Sequence, residues 1–219
     1  MSDKVDAGGL ALRGPVLVLA PHTDDGEFGC GGTISKLIAA GLDVYYMALS
    51  IAEDSLPAGW PKDTLKKEVT KATASLGIPN EHLIVYQYPV RRFLDHRQDI
   101  LEKFVAFKRA VNPQLVFLPS IHDTHQDHAV VSQEGFRAFK TVCMLGYEIP
   151  WNNLQFDTSC FIRLEEAHIE AKIRAMQCYE SQKGRAYASG EFLWSLARCR
   201  GIQIGGGYAE TFSLFRWVM

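Results

Sequence analysis

Nothing in the sequence approaches the roughly 20 consecutive apolar residues of a membrane span, and the opening MSDKVDAGGLALRGP lacks the apolar stretch of a secretory leader. A cytoplasmic protein without a membrane span is the expectation. Excess charge of one sign is missing too. The chain's 23 Lys and Arg stand against 25 Asp and Glu, so no whole-molecule field would draw nucleic acid or anionic lipid. Its five cysteines are scattered, odd in number and without a C-x-x-C pair, so neither a disulfide framework nor a zinc knuckle is indicated. Repeats, low-complexity tracts and long linkers are likewise lacking. What is present is a 219-residue chain, 47% hydrophobic and 22% charged, with enough apolar surface for a core. The reading is a flexible segment over residues 1–14 and a single domain over 15–219. The oligomeric state stays open, a homo-oligomer included.

Apolar periodicity sets the architecture. Residues 16–20 (VLVLA) are a run of β-formers, Ile34, Leu37 and Ile38 recur at helical spacing, and residues 43–50 return to strand composition. That is a βαβ unit. The alternation continues with a helix within 62–76 stopped by Gly77, a strand at 83–88, a helix within 96–111 and a strand at 115–119. Residues 165–180 read as a further helix, with strands at 159–164 and 211–218. The expected fold is an α/β, Rossmann-like three-layer sandwich with a mostly parallel sheet. Its ligand crevice would lie at the carboxyl ends of the strands.

Two loops at such ends hold clustered chemistry. PHTDDGEFGCGG follows the first strand, and SIHDTHQDH follows the strand at 115–119. Four of the seven histidines and four aspartates fall within them. His22 and Asp25, three residues apart, can share a cation across a tight turn, and His125 or His128 can supply a third ligand from the second loop. Three N/O ligands leave a tetrahedral zinc with an open position, the pattern of a catalytic site. Asp24 is then a candidate base. Asp127 is expected either to cap a helix or to hold the far nitrogen of a ligating imidazole. His122 is read as peripheral. Glycines 26, 29, 31 and 32 suggest close backbone approach around a metal, because G-E-F-G-C-G-G does not meet the dinucleotide fingerprint.

Two other functions share these residues. Clustered His and Asp can hold two divalent ions in a phosphohydrolase. A non-catalytic sugar- or nucleotide-binding module on the same scaffold would need neither a base nor a metal.

APHTDDGEFGCGGTI and DTHQDH together resemble the PIG-L/LmbE family of zinc-dependent N-acetylglucosaminyl deacetylases. The likeness also touches KIRAMQCYESQ (172–182) and YAE (208–210). It implies one zinc per chain held by His22, Asp25 and His128, Asp24 as general base, and a protonated His125 stabilising the oxyanion. The substrate it implies is an N-acetylated sugar or sugar conjugate. Thr23 replaces the usual proline, and Leu65 stands where many relatives carry a substrate-holding arginine. Arg91, Arg92 and Arg97 are the substitutes expected from the sequence, with Glu53 a further candidate substrate contact.

Overall fold

A computed structural model describes residues 12–218. The segment expected to be flexible over 1–14 thus lies mostly outside the described residues. Seven strands, β1 (Val16–His22), β2 (Val44–Ser50), β3 (Leu83–Val85), β4 (Leu115–Pro119), β5 (Cys143–Tyr147), β6 (Cys160–Leu164) and β7 (Tyr208–Arg216), form one sheet in the order β3-β2-β1-β4-β5-β7-β6. The first five are parallel, while β7 runs antiparallel to both β5 and β6. Six helices cover it: α1 (Asp25–Ala39), α2 (Thr64–Leu76), α3 (Arg97–Val111), α4 (Gln126–Phe139), α5 (Glu166–Gln177) and α6 (Gly190–Ile202).

Period-two alternation along the strands builds two cores, one on each face. Val16, Val18 and Ala20 of β1 join Phe28, Ile34, Val69 and Met176 on one side. Leu17 and Leu19 join Phe104, Val131 and Phe139 on the other. Both faces of β1 are therefore apolar, as a strand covered by helices on two sides requires. Helix α2 ends where Gly77 takes φ +93°, and α3 ends at Asn112 with φ +51°.

Helix α1 begins earlier than its apolar residues suggest, at Asp25, and breaks at Cys30 (φ −146°, ψ 23°). The break frees backbone donors just beyond it. Glu210 of β7 accepts them, from Gly32 N at 3.0 Å and Thr33 N at 2.7 Å, and its charge is met by Lys172 Nζ at 2.7 Å. A carboxylate from the far side of the sheet thus restarts the helix, which fits both the positive end of a helix dipole and the unpaired N–H groups there.

Sequence periodicity did not reveal α4, β5 or α6. It placed β3 over 83–88, whereas the strand ends at Val85.

Candidate active site

The strand order reverses between β1 and β4, because the chain winds outward through β2 and β3 before crossing back to β4 and β5. A crevice opens at such a switch point. The loops leaving β1 and β4 carry the two His- and Asp-rich motifs, and both line a cleft of about 340 Å³.

Three atoms converge at its floor. His22 Nδ1 lies 3.1 Å from Asp25 Oδ2, His128 Nε2 lies 3.2 Å from the same oxygen, and the two ring nitrogens are 3.3 Å apart. The opposite nitrogens are held from behind. His22 Nε2 meets Asp127 Oδ2 at 3.0 Å, and His128 Nδ1 meets Asp123 Oδ2 at 2.7 Å. Because a carboxylate can only accept, each imidazole places its N–H outward and turns a lone pair toward the triangle. Three acceptors facing one another need a positive charge between them.

The titration shifts report the same demand. Burial alone would lower His22, but hydrogen bonds with Asp127 and Asp25 raise it to about 9. Burial likewise opposes ionisation of His128, and Asp25 and Asp123 overcome it to give about 10. Burial would raise Asp25, yet the neighbouring His128 and His22 hold it well below the usual carboxylate range. A divalent ion is the other cation that fits. Tetrahedral ligands about 2.0–2.1 Å from zinc sit about 3.3–3.4 Å from each other, close to the edges of this triangle.

Asp24 occupies the cap position of α1 without making a side-chain cap bond. Among the described residues, no hydrogen bond holds its carboxylate, which lines the cleft beside the triangle. Burial and the negative Asp25 push it up to about 6, against the pull of His22 and Arg185. Beneath the loop, the Tyr46 and Tyr179 hydroxyls lie 2.8 and 2.7 Å from the Thr23 carbonyl oxygen and flank the buried Glu27, whose pKa burial pushes up to about 8. The Thr23 position is thereby fixed without the proline.

His125 caps α4, its Nδ1 accepting from Asp127 N at 3.2 Å. Burial and the nearby His128 and His22 lower its pKa to about 4. With Nδ1 accepting from Asp127 N, the other ring nitrogen, Nε2, is left as the donor position of His125. All three histidines offer a ring nitrogen within 4.8 Å of the others, but the tight triangle uses Asp25, not His125.

Other expectations also move. Asp127 is not the cap of α4 but lies in its first turn, where its carboxylate also accepts from Arg91 N at 2.6 Å and Phe93 N at 3.3 Å. The glycines of α1 approach side chains rather than an ion: a Cβ on Gly26 would meet the Tyr46 ring at 2.5 Å, and Gly29 packs as closely on Tyr147. Glu53 is exposed and 3.8 Å from Lys62, Arg92 pairs with Asp95, and Arg97 pairs with Glu134. Arg91 is exposed with φ +66°. None of these four lines the cleft, whereas Leu65 and Arg185 do. Sequence reading missed the roles of Asp123 and Arg185. The signal for Asp123 was available, since it stands five residues before His128 within the same motif.

A layered sheet carrying a poised carboxylate, an imidazole and an ion-fitting triangle in one crevice has the groups needed to activate a water molecule. The family follows from comparison with known proteins. Residues 17–139 match the family described as GlcNAc-PI de-N-acetylase, PIG-L, and the chain belongs to that family. An uncharacterized deacetylase of Escherichia coli K12, YaiS, is 24% identical over 77% of this chain and 92% of its own length. The diacetylchitobiose deacetylase of Thermococcus kodakarensis is 27% identical over 60% of this chain, and the match spans 50% of that protein. A conserved protein of Thermus thermophilus has the same fold, with a TM-score of 0.77 and 26% identity over 94% of this chain and 97% of that one. The Escherichia coli and Thermococcus relatives are named deacetylases, so the class is that of hydrolases acting on an amide bond.

Proposed function

We propose that this protein is a zinc-dependent deacetylase that removes the N-acetyl group from an N-acetylglucosamine-type sugar or sugar conjugate, yielding acetate and a free amine. The observation that carries this reading is the triangle of His22, Asp25 and His128 with the unpartnered carboxylate of Asp24 beside it. His22, Asp25 and His128 would hold one zinc per chain, which when bound supplies Lewis acidity toward the acetyl carbonyl and toward water.

The chain's own groups account for the proton movements. Asp24, at about 6, is ionised at neutral pH and accepts the proton of the attacking water. The Nε2–H of neutral His125 donates to the oxygen on which negative charge develops. Asp24 then returns its proton to the departing nitrogen, so one water is consumed and the amide is replaced by an acid and an amine. Asp123 and Asp127 keep the two ligating rings in the tautomer that faces the ion, and this use of their oxygens favours one ion over the two of a phosphohydrolase. Trp151 and Tyr187 stack on each other with centroids 3.8 Å apart, and both line the cleft.

The test is acetate release by zinc-loaded protein from free, nucleotide-linked and glycoside-linked N-acetylhexosamines. Acetate and free amine in equal amounts, with one zinc bound per chain, are expected. No acetate from any of the three classes would overturn the assignment.

A further inference from the structure

The segment between α5 and α6 runs along the cleft and is pinned at its start by buried contacts. Tyr179 Oη lies 2.7 Å from the Thr23 carbonyl oxygen, and Ser181 donates to the Glu68 carboxylate from its backbone N at 2.9 Å and its Oγ at 2.6 Å. Beyond those anchors, Arg185 and Tyr187 enter the cleft lining. Among the described residues, Arg185 is the only lysine or arginine that lines the cleft. Its Nη1 donates to the Tyr187 hydroxyl, and among the described residues it forms no ion pair with a carboxylate.

A guanidinium has five N–H donors arranged as a planar fork, and a single neutral partner leaves most of them unspent. Such a fork suits the paired oxygens of a carboxylate or phosphate. Leu65, buried on the same lining, offers no donor of its own. The aromatic wall continues from Tyr187 through Trp151 to Phe28, whose ring centroid lies 4.4 Å from that of Trp151. A ligand in the cleft therefore meets this aromatic cluster with Arg185 beside it, placing an anionic substituent within reach of the guanidinium.

We propose that Arg185 makes this site selective for substrates that carry an anionic group, carboxylate or phosphate, on the acylated sugar or its adjoining unit. The inference rests on the deacetylase reading for its acyl group, but the anion contact can be measured without turnover. Two measurements are needed. Acetate release by zinc-loaded wild-type, Arg185→Gln and Arg185→Lys proteins is compared for N-acetylglucosamine, N-acetylmuramic acid and N-acetylglucosamine 1-phosphate. Calorimetric binding of the same three compounds is then measured in an Asp24→Asn background, alone and combined with Arg185→Gln.

The expected result is a kcat/KM for at least one anionic probe about tenfold or more above that of the neutral sugar, with Arg185→Gln collapsing the ratio. Retention by Arg185→Lys would mark a simple charge contact, and loss in it a forked one. A preference for the carboxylate probe or for the phosphate probe identifies the group. An anion-to-neutral ratio unchanged by Arg185→Gln in both measurements overturns the proposal. Absence of acetate from every probe, with Arg185-dependent anion binding intact by calorimetry, would instead sink the deacetylase reading and leave the anion site standing.

Discussion

Replacing Asp24 by Asn tests the base assignment most directly, because among the described residues its carboxylate bonds to no other residue. Among the described residues its side chain holds nothing in place, so an isosteric amide leaves the His22, Asp25 and His128 triangle intact. Zinc content should stay at one per chain. Turnover should fall by about 10²–10⁴, the usual contribution of a positioned general base. The pH profile sharpens the expectation. Burial and the adjacent Asp25 raise Asp24 to about 6, and only the ionised form accepts a proton, so kcat/KM in the wild type should rise with pH through a single ionisation near 6. At pH 5 that leaves roughly one tenth of the plateau rate. Asp24→Asn should lose this acid limb together with the activity. The assay is initial acetate release from pH 4.5 to 8.5, with zinc measured in the same samples. Full activity in Asp24→Asn, or an acid limb that survives in it, would refute the reasoning; loss of zinc would move Asp24 into the ligand set.

Three further outcomes follow from the same geometry. Asp127→Asn removes the carboxylate behind His22 and should weaken zinc binding about 10–100-fold, as measured by competition with a chelator of known affinity; unchanged affinity would sever Asp127 from the ligand set. In metal-free protein, His22 and His128 have folded pKa values of about 9 and 10 against an ordinary 6.5, so their contribution to stability is full below about 6.5 and is lost as pH rises through 9 and 10. The melting temperature in chelator should thus fall between pH 6.5 and 10, and zinc should reduce that fall by replacing the protons; a flat or rising profile without metal would contradict it. Glu210→Ala strips Lys172 of its buried partner and leaves Gly32 and Thr33 N–H groups unpaired, with an expected loss of about 3–5 kcal/mol in denaturant unfolding.

The fold was legible where burial is two-sided and local. β1, β2 and β4 read as short apolar runs because helices cover both faces of each, and α2 and α3 showed their apolar stripes, α2 with its left-handed stop at Gly77. Helix α4 was hidden for the opposite reason. Its first turn is spent on site chemistry, with His125, Asp127 and His128 occupying positions that would otherwise announce a cap and an apolar face. The break in α1 at Cys30 was equally invisible, since the carboxylate that repairs it lies 178 residues away in sequence.

The site divides along the same line. His22, Asp24 and Asp25 were readable because they sit at the end of β1, and His125 and His128 because the loop after β4 leads straight into the first turn of α4, which carries them. Arg185 was not, because no periodic element carries it. It reaches the cleft on an irregular segment whose course is set by Glu68 of α2 binding Ser181 and by Tyr179 meeting the carbonyl of Thr23. The groups proposed to hold the ion are therefore fixed by β1 and by the first turns of α1 and α4, while Arg185 hangs from side-chain contacts between distant elements. Substitutions at Arg185 and Tyr187 should on this account alter which sugar conjugate is taken and leave zinc content unchanged, whereas substitutions at the two His- and Asp-rich motifs should abolish zinc binding or turnover for every substrate alike.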